Sequence, residues 1–481
     1  MTRGRDSDGP MQPLPTVRPT AWTPRGEAAA KLPDGRTVVV WGGIPGEMAQ
    51  VGVDHDGRQV IVTHHVRARS PSPDRVPIAC DRYDRCGGCA LMHVSPEAQK
   101  QARDQLIGDA MREHGVRVEP GEWFTGPDGD RDFRHVVKVG FSTTADGRLK
   151  MGAWGRNTRE VVPIPDCLVV APILRRTMAR LAHVAREVES AAWDHPSGRG
   201  VLRAAVLRVS RATGEVLVTL VTTRRSPELS ALAEALAAGI DRIVGVWLHI
   251  NDDPGHETFL TDARGAVGVR PLVGQDTIEE QVDGTPCRIG PADFFQTNPG
   301  TAEVLVRRLR ARLALGADDT VLDLFSGVGS LTLPLARDAG FALGVEDLES
   351  AVLRARESAR LAGLTVEFIH ERVEVALPAL AARFATFRPT VLLNPARRGL
   401  EPEVVAGVVA LQPRRIAYVS SNPSAMARDL AAFVDAGFKI QPLDRFDMFP
   451  HTAHVECIAI LTAATPVATP SRAPKRRRVT A

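Results

Sequence analysis

From about residue 299 onward, short apolar runs alternate with helical stretches: "TVLDLFSG", "ALGVED", "VEFIHE", "TVLLNP" and "IAYVSS", closed by "FKIQPLDRF" and "HVECIAIL". Near-continuous apolar strands must be buried on both faces, and alternation with helices meets that need with a parallel sheet covered on either side. The sequence therefore predicts an α/β domain over residues 291–464, with ligands bound at the carboxyl ends of its strands.

The chain upstream reads differently. Residues 1–25 are rich in Pro and Arg without periodicity, and are expected to be disordered. Residues 26–70 hold short β-rich runs between Gly-Gly, Pro-Gly and Asp-Gly turns, which suggests a small β-barrel. Residues 71–290 form a central α+β region with a cysteine cluster, a helical stretch around "SPEAQKQARDQLIGDAMREHG", and the alternating pair "AAVLRVS" and "EVLVTLVTT", read as an antiparallel hairpin. Residues 465–481 are a basic tail, expected to be disordered.

The net charge is +3, and Arg472, Lys475, Arg476, Arg477 and Arg478 of the tail supply five positive charges, so the rest is net negative. Bulk charge thus does not announce a nucleic-acid binder, and any RNA surface must be a local patch. No apolar run is long enough for a membrane span, and the N-terminus lacks the apolar stretch of a secretory signal. The expected location is the cytoplasm, with no membrane partner. In that compartment the six cysteines point to metal or chemistry rather than disulfides.

"VLDLFSGVGSLTLPLA" puts a strand, a Gly-rich turn and a helix start in succession, with Gly327 and Gly329 allowing close backbone approach to a ligand. Glu346 ends the next strand, where a carboxylate can accept from ribose hydroxyls. Thr332 stands where a dinucleotide site has its third glycine. A nucleoside without a pyrophosphate is implied, and S-adenosylmethionine fits. Asn394, ending "TVLLNP", and Gln296, in "GPADFFQTNP", are further polar groups for this site; their bland readings are a strand-terminating turn and a core segment. Cys80, Cys86 and Cys89 are spaced C-x5-C-x2-C, and Cys167 in "IPDC" can add a fourth thiolate, a set that suits either zinc or an iron–sulfur cluster.

The stretches "GGIPGE", "CDRYDRCGGCALMH", "IPDC", "DFFQTNP", "DLFSGVGSLTLPLA", "NPARRG", "YVSSNPSAMARD" and "DMFPHTAHVE", in this order, resemble the RNA uracil-C5 methyltransferase family over roughly residues 26–462. The resemblance implies a TRAM-type barrel, a central domain with a [4Fe-4S] cluster on Cys80, Cys86, Cys89 and Cys167, and a class I, Rossmann-like S-adenosylmethionine-dependent domain. It implies cofactor contacts from Gln296, Phe325, Gly327, Gly329, Ser330, Glu346 and Asn394. It favours ribosomal RNA as substrate over tRNA, and a monomer.

In the family a cysteine thiolate attacks uracil C6, C5 takes the methyl group, and a carboxylate removes the C5 proton. Glu456 in "HTAHVE" matches the carboxylate, but the nucleophile position is Ser421. A thiol is a few per cent thiolate at neutral pH, whereas a serine needs an adjacent base. His451 and His454 are the nearest candidates in sequence. Cys457 is expected to face away from Glu456, because successive strand residues point to opposite faces; it and Cys287 are read as core. Asn394 and Arg372 depart from the family pattern as well, the former where Asp is usual. Three readings follow: a uracil-C5 methyltransferase, an RNA-binding relative without turnover, or a methyltransferase redirected to a nitrogen or oxygen acceptor.

Overall fold

The structure, a computed structural model, describes residues 15–463 except 145, 188–191, 195–196, 254, 256–257, 262–266 and 385. The basic tail lies outside the described residues. Among the described residues no helix is long and apolar enough to cross a membrane. Two compact units divide the chain. The first takes the chain up to Tyr83, then Cys89–Leu106 and His451–Ala453; the second holds Asp84–Gly88, Ile107–Pro450 and the chain from His454.

The first unit is built on a six-stranded sheet, in the order Thr16–Val17, Met48–Asp56, Val60–Ser70, Thr37–Trp41, Ala28–Lys31, Ala21–Trp22. Its first and last strands fall inside the stretch expected to be disordered, which is a correction at residues 16–22. Prolines are tolerated there because these are edge strands: Pro15 offers only its carbonyl, to Val51 N at 3.0 Å, and Val17 packs on Val38, Val40, Ala49 and Val51.

In the second unit, a seven-stranded sheet runs Val161–Val162, Leu149–Trp154, Val136–Thr143, Leu202–Val209, Val216–Thr222, Ile243–Ile250, Val269–Gly274. The expected hairpin is its centre, with Leu202–Val209 antiparallel to Val216–Thr222. The polar–apolar alternation read from it has no counterpart in burial. Every residue of Val216–Thr222 is buried, because both faces of that strand are covered and its threonines find internal partners, such as Thr219 Oγ1 donating to Pro291 O at 3.0 Å.

The α/β sheet predicted from residue 291 is present, in the order Glu367–His370, Phe341–Glu346, Thr320–Leu324, Thr390–Leu393, Arg415–Ser420, Glu456–Ala463, Leu443–Phe446, Pro120–Phe124. The first five strands are parallel and Glu456–Ala463 is antiparallel to its neighbour. Burial follows the two-residue period: Ile416 and Tyr418 enter one apolar core, Ala417 and Val419 the other. Chain order reverses between Thr320–Leu324 and Thr390–Leu393, the place where sheets of this kind open a crevice for ligands. The last strand, Pro120–Phe124, comes from far upstream. It pairs in parallel with Leu443–Phe446, and Phe124 stacks on Phe446 with ring centroids 5.0 Å apart.

Candidate active site

At the end of the Thr320–Leu324 strand, Phe325 takes φ 81°, a conformation a bulky side chain rarely adopts. It is held there because Phe325 N and Ser326 N both donate to Val345 O, at 3.0 and 2.9 Å. The turn aims Gly327 N at the neighbouring strand end, where it donates to Glu346 Oε2 at 2.8 Å, while Leu348 N donates to Oε1 at 3.0 Å. Burial, aided by Asp347, pushes the Glu346 carboxyl up to about 7 against the pull of these two bonds.

The two glycines serve different ends. A Cβ on Gly329, at φ 83°, would meet Leu333 at 3.1 Å and Phe368 at 3.3 Å, whereas one on Gly327, at φ 54°, would meet nothing within 4 Å. Gly329 thus permits close packing and Gly327 borders open space. Asp323, inside the apolar strand, was not singled out by the sequence reading, although an acid within "VLDLF" was a visible signal. Its Oδ2 accepts from Thr332 Oγ1 at 2.5 Å, and burial pushes it up to about 7. Among the described residues, Asp323 Oδ1 and Ser326 Oγ are buried without a hydrogen-bond partner. Ser330 is half-buried in the same turn.

The "VSSNPS" segment is a strand end and a helix cap. Asn422 Oδ1 accepts from Ser424 N at 3.2 Å, capping the helix Pro423–Asp435, and its Nδ2 donates to Arg397 O at 2.7 Å. That bond ties the loop after Asn394 to the loop of Ser421. Ser420 Oγ accepts from Asn422 N at 3.1 Å, so Ser420 is structural and Ser421, half-buried, is the residue left at the strand mouth. The antiparallel ladder ends on Ser420 opposite Cys457. One step further, the same register sets Ser421 against Glu456, and directly opposed residues share a face.

Glu456 is 3% exposed. Burial pushes its carboxyl up to about 8, moderated by the positive charge of Arg397. Arg397 is therefore a further residue of the candidate site. Cys457 enters the opposite core with Ala459 and Leu461, as predicted from strand alternation, and Cys287 is buried with its thiol pushed up to about 12. His451 belongs to the first unit, where its N–H donates to Gln99 Oε1 at 2.9 Å. His454 lies edge-on to Phe449. Exposed Arg372 turns to Glu374, so its charge is spent on a surface ion pair.

Gln296 is half-buried on a segment clamped at both sides. Asp293 accepts from Gly290 N at 2.6 Å and pairs with Arg354 at 3.3 Å. Asn298 caps the helix Pro299–Leu313 by accepting from Thr301 N at 3.0 Å, and donates to Met448 O at 3.4 Å. Cys80 and Cys89 pack in the first unit against a core of Trp41, Tyr83, Ala90 and Met92, while Cys86 and Cys167 belong to the second. Among the described residues no group of three or more His, Cys, Asp or Glu side chains is arranged to hold a metal, so the expected four-thiolate set finds no support there; Cys86 bridges to Gly155.

A family profile described as tRNA (Uracil-5-)-methyltransferase matches residues 288–464. A protein from Gloeobacter violaceus named as an RNA methyltransferase is 32% identical over 451 residues, 93% of this chain and 96% of its own length. The chain belongs to the RNA uracil-5 methyltransferase family. A second RNA methyltransferase of this kind, from Caldanaerobacter subterraneus, is 30% identical over 91% of this chain and 95% of its own. The crystal structure of Pyrococcus abyssi tRNA (uracil-54, C5)-methyltransferase, in complex with S-adenosyl-L-homocysteine, superposes with a TM-score of 0.71 at 24% identity, covering 93% of this chain and all of that one. The RNA uracil-5 methyltransferase fold thus extends over both units.

Proposed function

We propose that the protein is an S-adenosylmethionine-dependent methyltransferase acting on RNA, with uracil C5 as acceptor and ribosomal RNA favoured over tRNA. The observation that supports it most is buried Glu456 at the strand mouth, one step past the last rung of the ladder, with the glycine turn and Asn394 at neighbouring strand ends. The cofactor reading fits the turn: open space above Gly327, the unpartnered Asp323 Oδ1 and Ser326 Oγ, and a carboxylate at Glu346 with lone pairs left for ribose hydroxyls. When bound, the cofactor supplies an electrophilic methyl group. Glu456 takes the acceptor's proton, and to do so it must first be deprotonated at its raised pKa of about 8. Gln296, Phe325, Ser330 and Asn394 line the cofactor and base.

Ser421 favours a second reading, in which the acceptor is a nitrogen or oxygen that needs no covalent adduct, or turnover is lost and RNA binding remains. The N-terminal sheet is read as TRAM-like, and the protein as a cytoplasmic monomer. A [4Fe-4S] cluster on Cys80, Cys86, Cys89 and Cys167 rests on their spacing, which suits thiolate ligation, and on the family resemblance, zinc being the alternative. Mass-spectrometric mapping of ribosomal and transfer RNA from cells with and without the protein tests the function. A 5-methyluridine that disappears with it supports the first reading; a lost methyl on nitrogen or oxygen supports the second, and no lost methylation supports the turnover-free form.

A further inference from the structure

The strand Val136–Thr143 presents Lys138, Gly140 and Ser142 on one face of the seven-stranded sheet. The register that pairs Gly140 with Gly152 sets Trp154 across from Lys138. Lys138 Nζ stands 5.9 Å from the Trp154 ring centroid. A Cβ on Gly140 would come within 2.9 Å of that ring, so the glycine is what lets the indole settle onto the strand. On the other side Arg203 lies 4.2 Å from the Trp193 centroid, anchored by Asn251 Oδ1 at 2.6 Å and Gly255 O at 3.1 Å. Between the two tryptophans is a cavity of about 600 Å³, to which Arg159 and Asp194 also contribute.

A tryptophan that only packs a sheet would be covered, yet Trp154 is 39% exposed with a cation over it. Among the described residues the lining bears Lys138, Arg159 and Arg203 with Asp194, and Asp252 and Asp253 lie near Arg203, so the Lys138–Arg159 side of the groove suits a polyanion with flat rings. The same sheet face is buried beyond the groove, where it packs under the segment that precedes Gln296. Ala204, in the groove, and Arg208, four residues on, share that face, and Arg208 donates to Asp293 O at the start of the Gln296 segment. The separation of Ala204 and Arg208 along the strand is roughly 13 Å.

We propose that this groove binds an unpaired segment of RNA beside the target nucleotide, with a base stacked on Trp154 and phosphates met by Lys138 and Arg159. The proposal rests on the RNA reading above. Its test is fluorescence anisotropy of a labelled unstructured RNA dodecamer with the full chain. Trp154→Ala should weaken binding about tenfold and Trp154→Phe far less, as stacking requires; Lys138→Glu should weaken it several-fold and lower its salt dependence. Calorimetric titration with S-adenosylmethionine checks that the variants are folded. Wild-type affinity in a folded Trp154→Ala or in Lys138→Glu overturns the groove, as does equal competition by poly-glutamate, which has charge without bases. A wild type that binds no RNA overturns the RNA reading itself.

Discussion

Ser420 and Cys457 face each other on the last rung of an antiparallel ladder, and Cys457 points into the core away from Glu456. The thiol next to Glu456 in sequence is thereby turned from it, and one step past the last rung the opposite strand carries the hydroxyl of Ser421. In the proposed uracil-C5 function, nucleophilic attack on the pyrimidine ring would fall to Ser421.

RNA containing 5-fluorouridine, which traps enzymes that attack C6, should form no covalent adduct with the wild type. Ser421→Cys should form one, because the register already sets residue 421 opposite Glu456. Denaturing gels read the result; an adduct with the wild type that Ser421→Ala abolishes would show serine to be a working nucleophile.

Glu456 should make stability fall with rising pH. Between its unfolded value near 4.5 and its folded value of about 8, the unfolded chain releases a proton that the folded chain keeps, so folding loses about 1.4 kcal/mol per pH unit across that window and levels off above it. Glu456→Gln removes the effect. Thermal melts of variant and wild type should therefore diverge by a few kcal/mol in the variant's favour between pH 4.5 and 8; a constant gap would mean Glu456 is charged in the fold.

Cofactor affinity should rise from pH 6 to pH 8 as Glu346, held at about 7, becomes a carboxylate and a stronger acceptor. Glu346→Ala should cost roughly 1.5–3 kcal/mol and flatten that dependence in calorimetry. Part of the loss will come from Gly327 N and Leu348 N, which lose their acceptor.

The two glycines of the turn should fail differently. Gly329→Ala, strained in φ and crowded by Leu333 and Phe368, should lower stability by about 1–3 kcal/mol. Gly327→Ala should be milder in a melt and worse in S-adenosylmethionine binding. Equal losses in both assays for both variants would contradict the division of roles.

Protein purified without oxygen should contain iron and sulfide, both lost on replacing Cys80, Cys86, Cys89 and Cys167 with serine. Stoichiometric zinc without iron would replace the cluster by a zinc site.

Glu456 was placed only by the family resemblance, whereas the strand ends, the glycine turn and Glu346 were legible because apolar periodicity and an acid at a strand terminus are local signals. Phe325 in the left-handed region was not, since the constraint comes from Val345 O on another strand. Nor was the double use of Glu346, which braces the turn it was expected only to face. Thr16–Val17 and Ala21–Trp22 were hidden because two-residue strands owe their pairing to Met48–Asp56 and Ala28–Lys31 rather than to their own composition.

The strand Pro120–Phe124 bears on how the catalytic sheet comes into being. Glu122 N reaches Asp444 Oδ1 across 322 positions of chain, so this edge closes a very long loop, the kind of contact that forms slowly. A fragment spanning only residues 291–464 would hold Glu456, Ser421 and every residue proposed for the cofactor, yet expose Leu443–Phe446 as a bare edge and strip Phe446 of its aromatic partner. Such a fragment is expected to self-associate during refolding, and the catalytic region is best regarded as unable to travel alone as a portable domain.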